Sequence, residues 1–363
     1  MENKKGMSAI ITVVIIIGIG IIMAGVIWYA INDIIENQAE DISIESTTID
    51  MEVQKVMVET GSVKVKVKRI AGEGNLTGIK FIVSNGVDSE IFIVNSSLVE
   101  LGEDTFTISY SGLVKSVEVA PIFEFKKGEI AGGRPVDKLE FSDKNIVKNI
   151  PGLVSWWKFD GNTKDEVEGN NGVLEGTTLP IYLEGKVGSD SIEFDGVDNR
   201  VDCGNDAPLD NLGDGDFSIA FWMKSGASIQ NNGLMFAKVQ SLFNYFSIGS
   251  DGSANRLEAK IGKSGVYLNK EWSDLTPFDQ NWHYVVVVFN LTNDILRAYV
   301  DGIEGSTTGD LSSYPNDISN SGSVSWGATQ GGYYDYLGSI DEVMIFNRSL
   351  SENEVKGLYN LNK

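Results

Sequence analysis

Residues 7–31 read MSAIITVVIIIGIGIIMAGVIWYAI, a run of 25 residues with no charge and hydroxyls only at Ser8, Thr12 and Tyr29. A helix needs about 20 apolar residues to cross the hydrocarbon core of a bilayer, so this run predicts a single membrane-spanning helix. A soluble helix keeps a polar face, and a cleaved secretory signal has a shorter apolar core ahead of a small-residue site. Trp28 and Tyr29 stand where an interfacial aromatic belt forms. Lys4 and Lys5 precede the run, whereas residues 33–50 hold six acids and no base. The positive-inside rule then keeps the N-terminus in the cytoplasm and sends residues 33–363 outside. Sequons at Asn75, Asn95, Asn290 and Asn347 read as glycosylation acceptors on that outer side. Past the run, Ile31, Ile34, Ile35, Ala39 and Ile42 recur at spacings of three and four. That stripe continues the helix out of the bilayer, packing on its own ectodomain or on copies of itself.

Length and charge bound the remainder. A chain of 363 residues has room for the helix and two β-domains. Its 51 acids against 29 bases give a net charge of −22, which argues against a nucleic-acid partner. One cysteine (Cys203) excludes an intrachain disulfide and a thiolate metal cluster, and one histidine (His283) excludes a multi-histidine site.

The N-terminal residues Lys4-Lys5-Gly6 followed by Met7-Ser8-Ala9-Ile10-Ile11 and an Ile/Val helix ending at Trp28 resemble the class III signal segments of archaeal type IV pilins and archaellins. The resemblance implies a leader of residues 1–6, cleavage between Gly6 and Met7, and a filament-forming helix over residues 7–45. Ile11 occupies the fifth mature position, where bacterial pilins carry an acid.

From Met51 to about residue 145 the pattern predicts a small β-sandwich. Val63, Val65 and Val67 alternate with Lys64, Lys66 and Lys68, the period of a half-buried strand with a solvated lysine face. Gly/Asn/Ser clusters separate further strand-like runs, and residues 126–150 read as a linker. No chemistry is legible in this segment.

Residues 151–363 carry 30 acids against 14 bases and strand-like runs throughout. His283–Phe289 is the most apolar of them, as a doubly covered central strand would be. Ser351-Glu-Asn-Glu354 is a capping box opening a terminal helix. The ordered motifs GLVSWWKFDG (152–161), IEFDGVDNRVD (192–202), FSIAFW (217–222), WHYV (282–285), LRAYVDG (296–302) and GSIDEVMIFNRSLS (338–351) are similar to laminin-G-like, concanavalin A-type jelly rolls. The fold class expected is therefore mainly β: a transmembrane helix, a small sandwich and a C-terminal jelly roll.

Fold alone leaves lectins, adhesive modules and glycan hydrolases open. Retaining β-glucan hydrolases of this superfamily carry Glu-x-Asp-x-x-Glu, and here Ser339 and Met344 stand at the two glutamate positions. No catalytic residue is assigned. Residues 190–216 hold nine acids and one base, the kind of loop that supplies oxygen ligands to calcium. The jelly-roll resemblance implies a structural calcium at Asp160, Asn170 and Asp341, with Asp165 a further ligand. Trp272 and the loop tyrosines Tyr333, Tyr334 and Tyr336 are candidates for stacking on sugar rings. Three functions follow from the whole: a pilin-like or membrane-anchored surface protein presenting a carbohydrate-binding adhesive module, a surface glycan hydrolase, or a structural filament subunit. Partners expected are the membrane, copies of the chain, and surface glycans or glycoproteins.

Overall fold

The computed structural model describes residues 49–361 except 73–74, 87, 125–129, 134, 168, 228–232, 252–254, 315–316 and 330–333. The expected membrane helix, the Gly6–Met7 cleavage site, the stripe at 31–42 and Tyr333 lie outside the described residues. Among the described residues no helix is long and apolar enough to cross a membrane.

The first domain is built from β1 (Asp50–Glu59), β2 (Ser62–Ala71), β3 (Leu76–Ser84), β4 (Ser89–Asn95), β5 (Glu103–Ser109), β6 (Ser116–Glu124), β7 (Ile130–Gly132) and β8 (Asp137–Glu140). They form a three-stranded sheet, β1–β2–β5, and a five-stranded sheet, β4–β3–β6–β7 with β8 also on β6. Period-two alternation makes the core between the sheets. Val63, Val65 and Val67 from one sheet meet Ile79, Phe81, Val117 and Val119 from the other, all fully buried. The lysines between those valines face outward, where Lys64 pairs with Glu59 and Lys66 with Glu103, each at 2.7 Å. The segment expected as a linker carries regular structure: β7 and β8 both pair with β6, and α1 (Asp143–Lys148) follows. Apolar Ile146, Val147 and Ile150 hold it down, because all three are buried.

The second domain comprises β9 (Leu153–Trp157), β10 (Val173–Glu175), β11 (Ile181–Glu184), β12 (Asp190–Asp195), β13 (Arg200–Asp202), β14 (Phe217–Ser225), β15 (Leu234–Ser241) and β16 (Asn244–Ser250). It continues with β17 (Leu257–Lys263), β18 (Val266–Trp272), β19 (Trp282–Asn290), β20 (Ile295–Val300), β21 (Ile303–Glu304), β22 (Gly309–Asp310), β23 (Val324–Trp326), β24 (Leu337–Phe346) and α2 (Glu352–Leu361). One sheet of seven strands runs β10–β13–β23–β15–β16–β17–β18; one of nine runs β11–β12–β24–β14–β19–β20–β21, with β9 on β24 and β22 on β20. Aromatic rings fill the space between them. Phe217 stacks on Phe289 at 4.2 Å, and Trp326 lies 5.1 Å from Phe236 and 5.5 Å from Phe221.

A third apolar cluster covers the outer face of the nine-stranded sheet. Trp222, Tyr284, Val286, Met344 and Phe346 pack there under Val355 and Leu358 of α2, Ile146 and Val147 of α1, and Leu113 of the first domain. The expected capping box forms: Ser351 N donates to Glu354 Oε2 at 2.9 Å and Glu354 N to Ser351 Oγ at 3.3 Å. Ser351 Oγ also donates to the Ser111 carbonyl at 2.8 Å. Arg348 grips Glu354 with both terminal nitrogens, at 3.0 and 2.6 Å. The two β-domains thus share a packed seam.

Candidate functional site

The residues expected to hold calcium separate into two places. Asp165 Oδ1 accepts from Trp156 N at 2.8 Å and Val167 N at 3.0 Å, and its Oδ2 accepts from Asn170 N at 3.2 Å. The Asn170 carbonyl takes the Trp157 indole N–H at 2.8 Å. These bonds knit the 165–171 loop onto β9. Asp160 and Asp341 instead serve the 185–190 loop: Ser189 N donates to Asp160 Oδ1 at 2.7 Å, and Lys186 N and Val187 N to Asp341 Oδ2 at 2.8 and 3.0 Å. Lys158 pairs with Asp160. Gly188, with φ +72°, lies so close that an added Cβ would stand 2.3 Å from Asp160 Oδ1. Among the described residues no three acid, histidine or cysteine side chains are grouped to hold a metal. Backbone amides meet Asp160 Oδ1, both oxygens of Asp165 and Asp341 Oδ2, while the buried Asp341 Oδ1 has no hydrogen-bond partner among the described residues.

Beside Asp341 lies an acid whose placement sequence alternation hides. Ala220 pairs with Met344 but Trp222 pairs with Asp341, so β24 carries one extra residue opposite β14. Glu342 sits in that bulge with φ +49°. Strict alternation would aim Glu342 into the inter-sheet core beside Ile340. The bulge turns it to the outer face, where the Trp156 indole donates to Oε2 at 2.6 Å. Asp341 and Glu342 are 0% and 1% exposed. Burial raises both carboxyls above the usual range, against the Val187, Lys186 and Glu342 amides for Asp341 and the Trp156 indole for Glu342; the charge of Asp160 adds to the rise of both, and that of Asp341 to the rise of Glu342. Asp160 goes the other way. Partial burial opposes its charge, yet Lys158 and the amides of Ser189 and Asp190 hold it below the usual range.

A cleft of about 420 Å³ opens at the β10–β13 edge of the seven-stranded sheet. One wall is the 169–171 loop and β10, with Asn170, Asn171 and Glu175; the other is β13 and the following loop, with Asp202, Cys203 and Asp206. Val173 pairs with Asp202 and Glu175 with Arg200, so Glu175 and Asp202 share the outer face of the sheet. Arg200 ion-pairs with Glu175. Gly172 lets the walls approach: a Cβ there would lie 2.3 Å from Val201 Cγ1. Burial raises the Cys203 thiol, with Asp202 and Asp165 adding to the effect, so Cys203 is a packing residue as its strand-end position suggests. The second wall is pinned by Lys238, fully buried, whose Nζ donates to the carbonyls of Leu209 at 3.0 Å and Gly322 at 2.9 Å. Burial lowers the Lys238 amine to about 8.

From the cleft a row of short side chains crosses the sheet: Asp202 pairs with Ser325, Ser325 with Ala237, Ala237 with Ser247, and Ser247 with Lys260. One register further along, Tyr245 and Tyr267 flank Gly262. Burial, and then the neighbouring Tyr267, Tyr334 and Glu258, raises the Tyr245 hydroxyl.

Of the expected stacking residues, only Tyr334 is exposed among those described, at 54%. Trp272 is 0% exposed, its indole donating to the Thr307 carbonyl at 2.7 Å, and it belongs to the inter-sheet core. Tyr336 is 3% exposed and packs edge-on against Phe194 at 6.4 Å. Neither forms a platform. His283 bridges two carboxylates, Nδ1 to Asp301 Oδ2 at 2.7 Å and Nε2 to Asp279 Oδ1 at 2.9 Å, which is a structural role. Asn75, Asn95 and Asn347 are exposed and Asn290 is half-buried.

Residues 195–356 match the family profile of the concanavalin A-like lectin/glucanases superfamily. Over this stretch the chain is similar to laminin-G-like jelly-roll domains. Three solved structures resemble the jelly roll at low identity. Domain 4 of AbnA, an extracellular arabinanase from Geobacillus stearothermophilus solved with arabinotriose, is 19% identical with a TM-score of 0.47, covering 58% of this chain and 98% of that one. The binding domain of Paraclostridial Mosquitocidal Protein 1 is 18% identical, TM-score 0.46, covering 58% and 52%. The binding domain of Botulinum neurotoxin DC, solved with rat synaptotagmin II, is 14% identical, TM-score 0.47, covering 58% and 52%. This chain spans about half the length of the last two. No curated protein is similar to it in sequence.

Proposed function

We propose that the chain is a cell-surface protein whose jelly roll binds carbohydrate and acts as an adhesive module. In this reading residues 7–45 anchor it, as a single-pass or pilin-like helix with the N-terminus in the cytoplasm, and the two β-domains stand outside. The observation that carries the binding part is the cleft of about 420 Å³ between Asn170, Asn171 and Glu175 on one side and Asp202 and Asp206 on the other. Its size is that of a small-ligand site. Carboxylates accept bonds from neighbouring hydroxyls, and amides both donate and accept, which suits a polyhydroxylated ring. Three carboxylates disfavour sulfated or carboxylated sugars, so neutral glycans are the class expected.

The test uses the full-length protein in detergent on a glycan array, followed by calorimetry on any hit. Neutral glycans bind the unmodified protein, and Asp206→Ala and Asp202→Asn lose that binding while melting as before. Silence across all neutral glycans, or binding untouched by both substitutions, overturns the reading. Edman sequencing of the native protein beginning at Met7 supports processing as a pilin; an intact Met1 leaves the anchor alone. Mass spectrometry of Asn75, Asn95 and Asn347 tests glycosylation on the outer side.

A further inference from the structure

The chain enters the described fold at one corner of the first domain. Asp50 opens β1 opposite Ala71, the last residue of β2. On the other side of β2, Lys68 pairs with Glu103, and Arg69 N donates to the Gly102 carbonyl at 2.9 Å. Carried one step further, that register sets Ile70 across from Leu101. Neighbouring strands lie about 4.8 Å apart, so Leu101 stands two strand spacings, about 10 Å, from the point of entry.

Three apolar side chains are open at this corner: Ile70 is 38% exposed, Val99 70% and Leu101 68%. Exposure alone does not single them out, since Leu242 and Phe243 of the second domain are as open. Position and backbone do. Gly102 N donates to the Val99 carbonyl at 2.9 Å, closing a turn over residues 99–102 whose third residue, Leu101, has φ +60°. That place favours glycine, and a leucine held there costs on the order of 1 kcal/mol while its side chain gains no cover. Arg69 braces the turn, donating from Nη1 to the Leu98 carbonyl at 3.0 Å. A strained and braced turn that holds an apolar side chain outward marks a contact surface.

The matching face lies next door in the chain. Beyond the apolar run, Ile34, Ile35, Ala39 and Ile42 recur at helical spacing, and only residues 43–48 separate them from Ile49 at the entry. That connection reaches at most about 24 Å, which keeps the stripe beside the corner. Charge agrees: residues 33–50 hold six acids and no base, and Lys68 lies two residues before Ile70 on the same outer face of β2. We propose that the corner of Ile70, Val99 and Leu101 seats residues 34–42 of the same chain, with the apolar stripe laid on the three side chains. The first domain then leaves its anchor at a fixed angle. The seat requires the helical anchor over residues 7–45 and is independent of carbohydrate binding.

Disulfide trapping in the full-length protein, held in lipid nanodiscs, tests the seat. Cys203 is buried, so introduced thiols are the reactive ones. On mild oxidation, Leu101→Cys combined with Ile42→Cys closes an intramolecular disulfide roughly tenfold faster than Leu101→Cys combined with Glu40→Cys, because positions 40 and 42 lie on opposite faces of a helix. Leu101→Gly relieves the turn, so the melting temperature of the first domain holds or rises. Cutting after Glu36, Glu40 and Glu45 by a glutamate-specific protease nevertheless quickens roughly tenfold as the segment comes free. Equal closure of the two cysteine pairs means no helical face meets the corner, and overturns the seat and the anchor helix together. Disulfides formed only between chains, no disulfide at all, or cutting unchanged by Leu101→Gly each overturns the seat and leaves the anchor helix standing.

Discussion

On the outer face of the nine-stranded sheet, Ala220, Trp222, Tyr284, Val286, Val288, Met344 and Phe346 are none of them more than 2% exposed. The outer face of the seven-stranded sheet instead carries Glu175, Asp202, Lys260, Tyr245 and Tyr267 around short side chains at Ala237, Ser247 and Ser325. Both belong to the same sandwich and share one aromatic core. What differs is the covering: α2, α1 and Leu113 seal the first face, and polar side chains dress the second. The contrast places stability and domain coupling on one sheet and leaves the other as the face to which the proposed recognition belongs.

Trp222→Ala gives the largest effect that can break this contrast. It empties the middle of the sealed face and is expected to cost about 3–5 kcal/mol in denaturant unfolding. Leu113→Ala removes the first domain's main apolar contact with the seam and should cost about 2 kcal/mol. Calorimetry should then resolve two melting transitions where the unmodified chain shows one. Gly188→Ala combines strain at φ +72° with a clash against Asp160, for a loss of about 1–2 kcal/mol read by the same melts. On the open face, Asp206→Ala should change stability by less than about 0.5 kcal/mol while removing glycan binding. If it proves as costly as Trp222→Ala, the two faces do not differ as argued.

The smallest effect is a pH dependence. Asp301, and with it Asp279, raises the His283 pKa above the ordinary 6.5 against the opposing effect of burial. The folded state therefore holds this proton more tightly than the unfolded chain. Its contribution is complete below about pH 6.5 and fades as pH rises through the folded value. Thermal melts should show that decline, and Asp301→Asn should flatten it.

Much of the jelly roll is legible in the sequence because its long strands announce themselves by pattern. Phe217–Met223, His283–Phe289 and Ile340–Phe346 lie within β14, β19 and β24, and the capping box opens α2 as expected. The short strands β10, β13 and β23 escape notice, since three residues show no periodicity; yet β10 and β13 build the cleft. The polar stretch Lys270-Glu271-Trp272-Ser273-Asp274 suggests a surface tryptophan. The register shows otherwise: Trp272 pairs with Leu257 and is the last inward position of β18, with Lys270 laid over its ring at 5.5 Å. Asp160, Asp165 and Asp341 stand out in the sequence as candidate ligands, and in the structure each accepts backbone amides. A carboxylate holding backbone amides and one holding calcium look alike in one sequence, because the bonds come from residues distant in the chain, such as Lys186 to Asp341. Glu342 needed the bulge, which no alternation pattern reveals.

The bond from Ser351 to the Ser111 carbonyl has a mechanical side. With it, Leu113 and α1 give tension two routes from the jelly roll to the first domain, one through the chain between residues 141 and 152 and one through the C-terminal helix. A load on the jelly roll is then shared by a braced joint and not taken by a single thread of backbone. The last ten residues of the fold act as a strut, and shortening α2 would turn a stiff arm into a swivel.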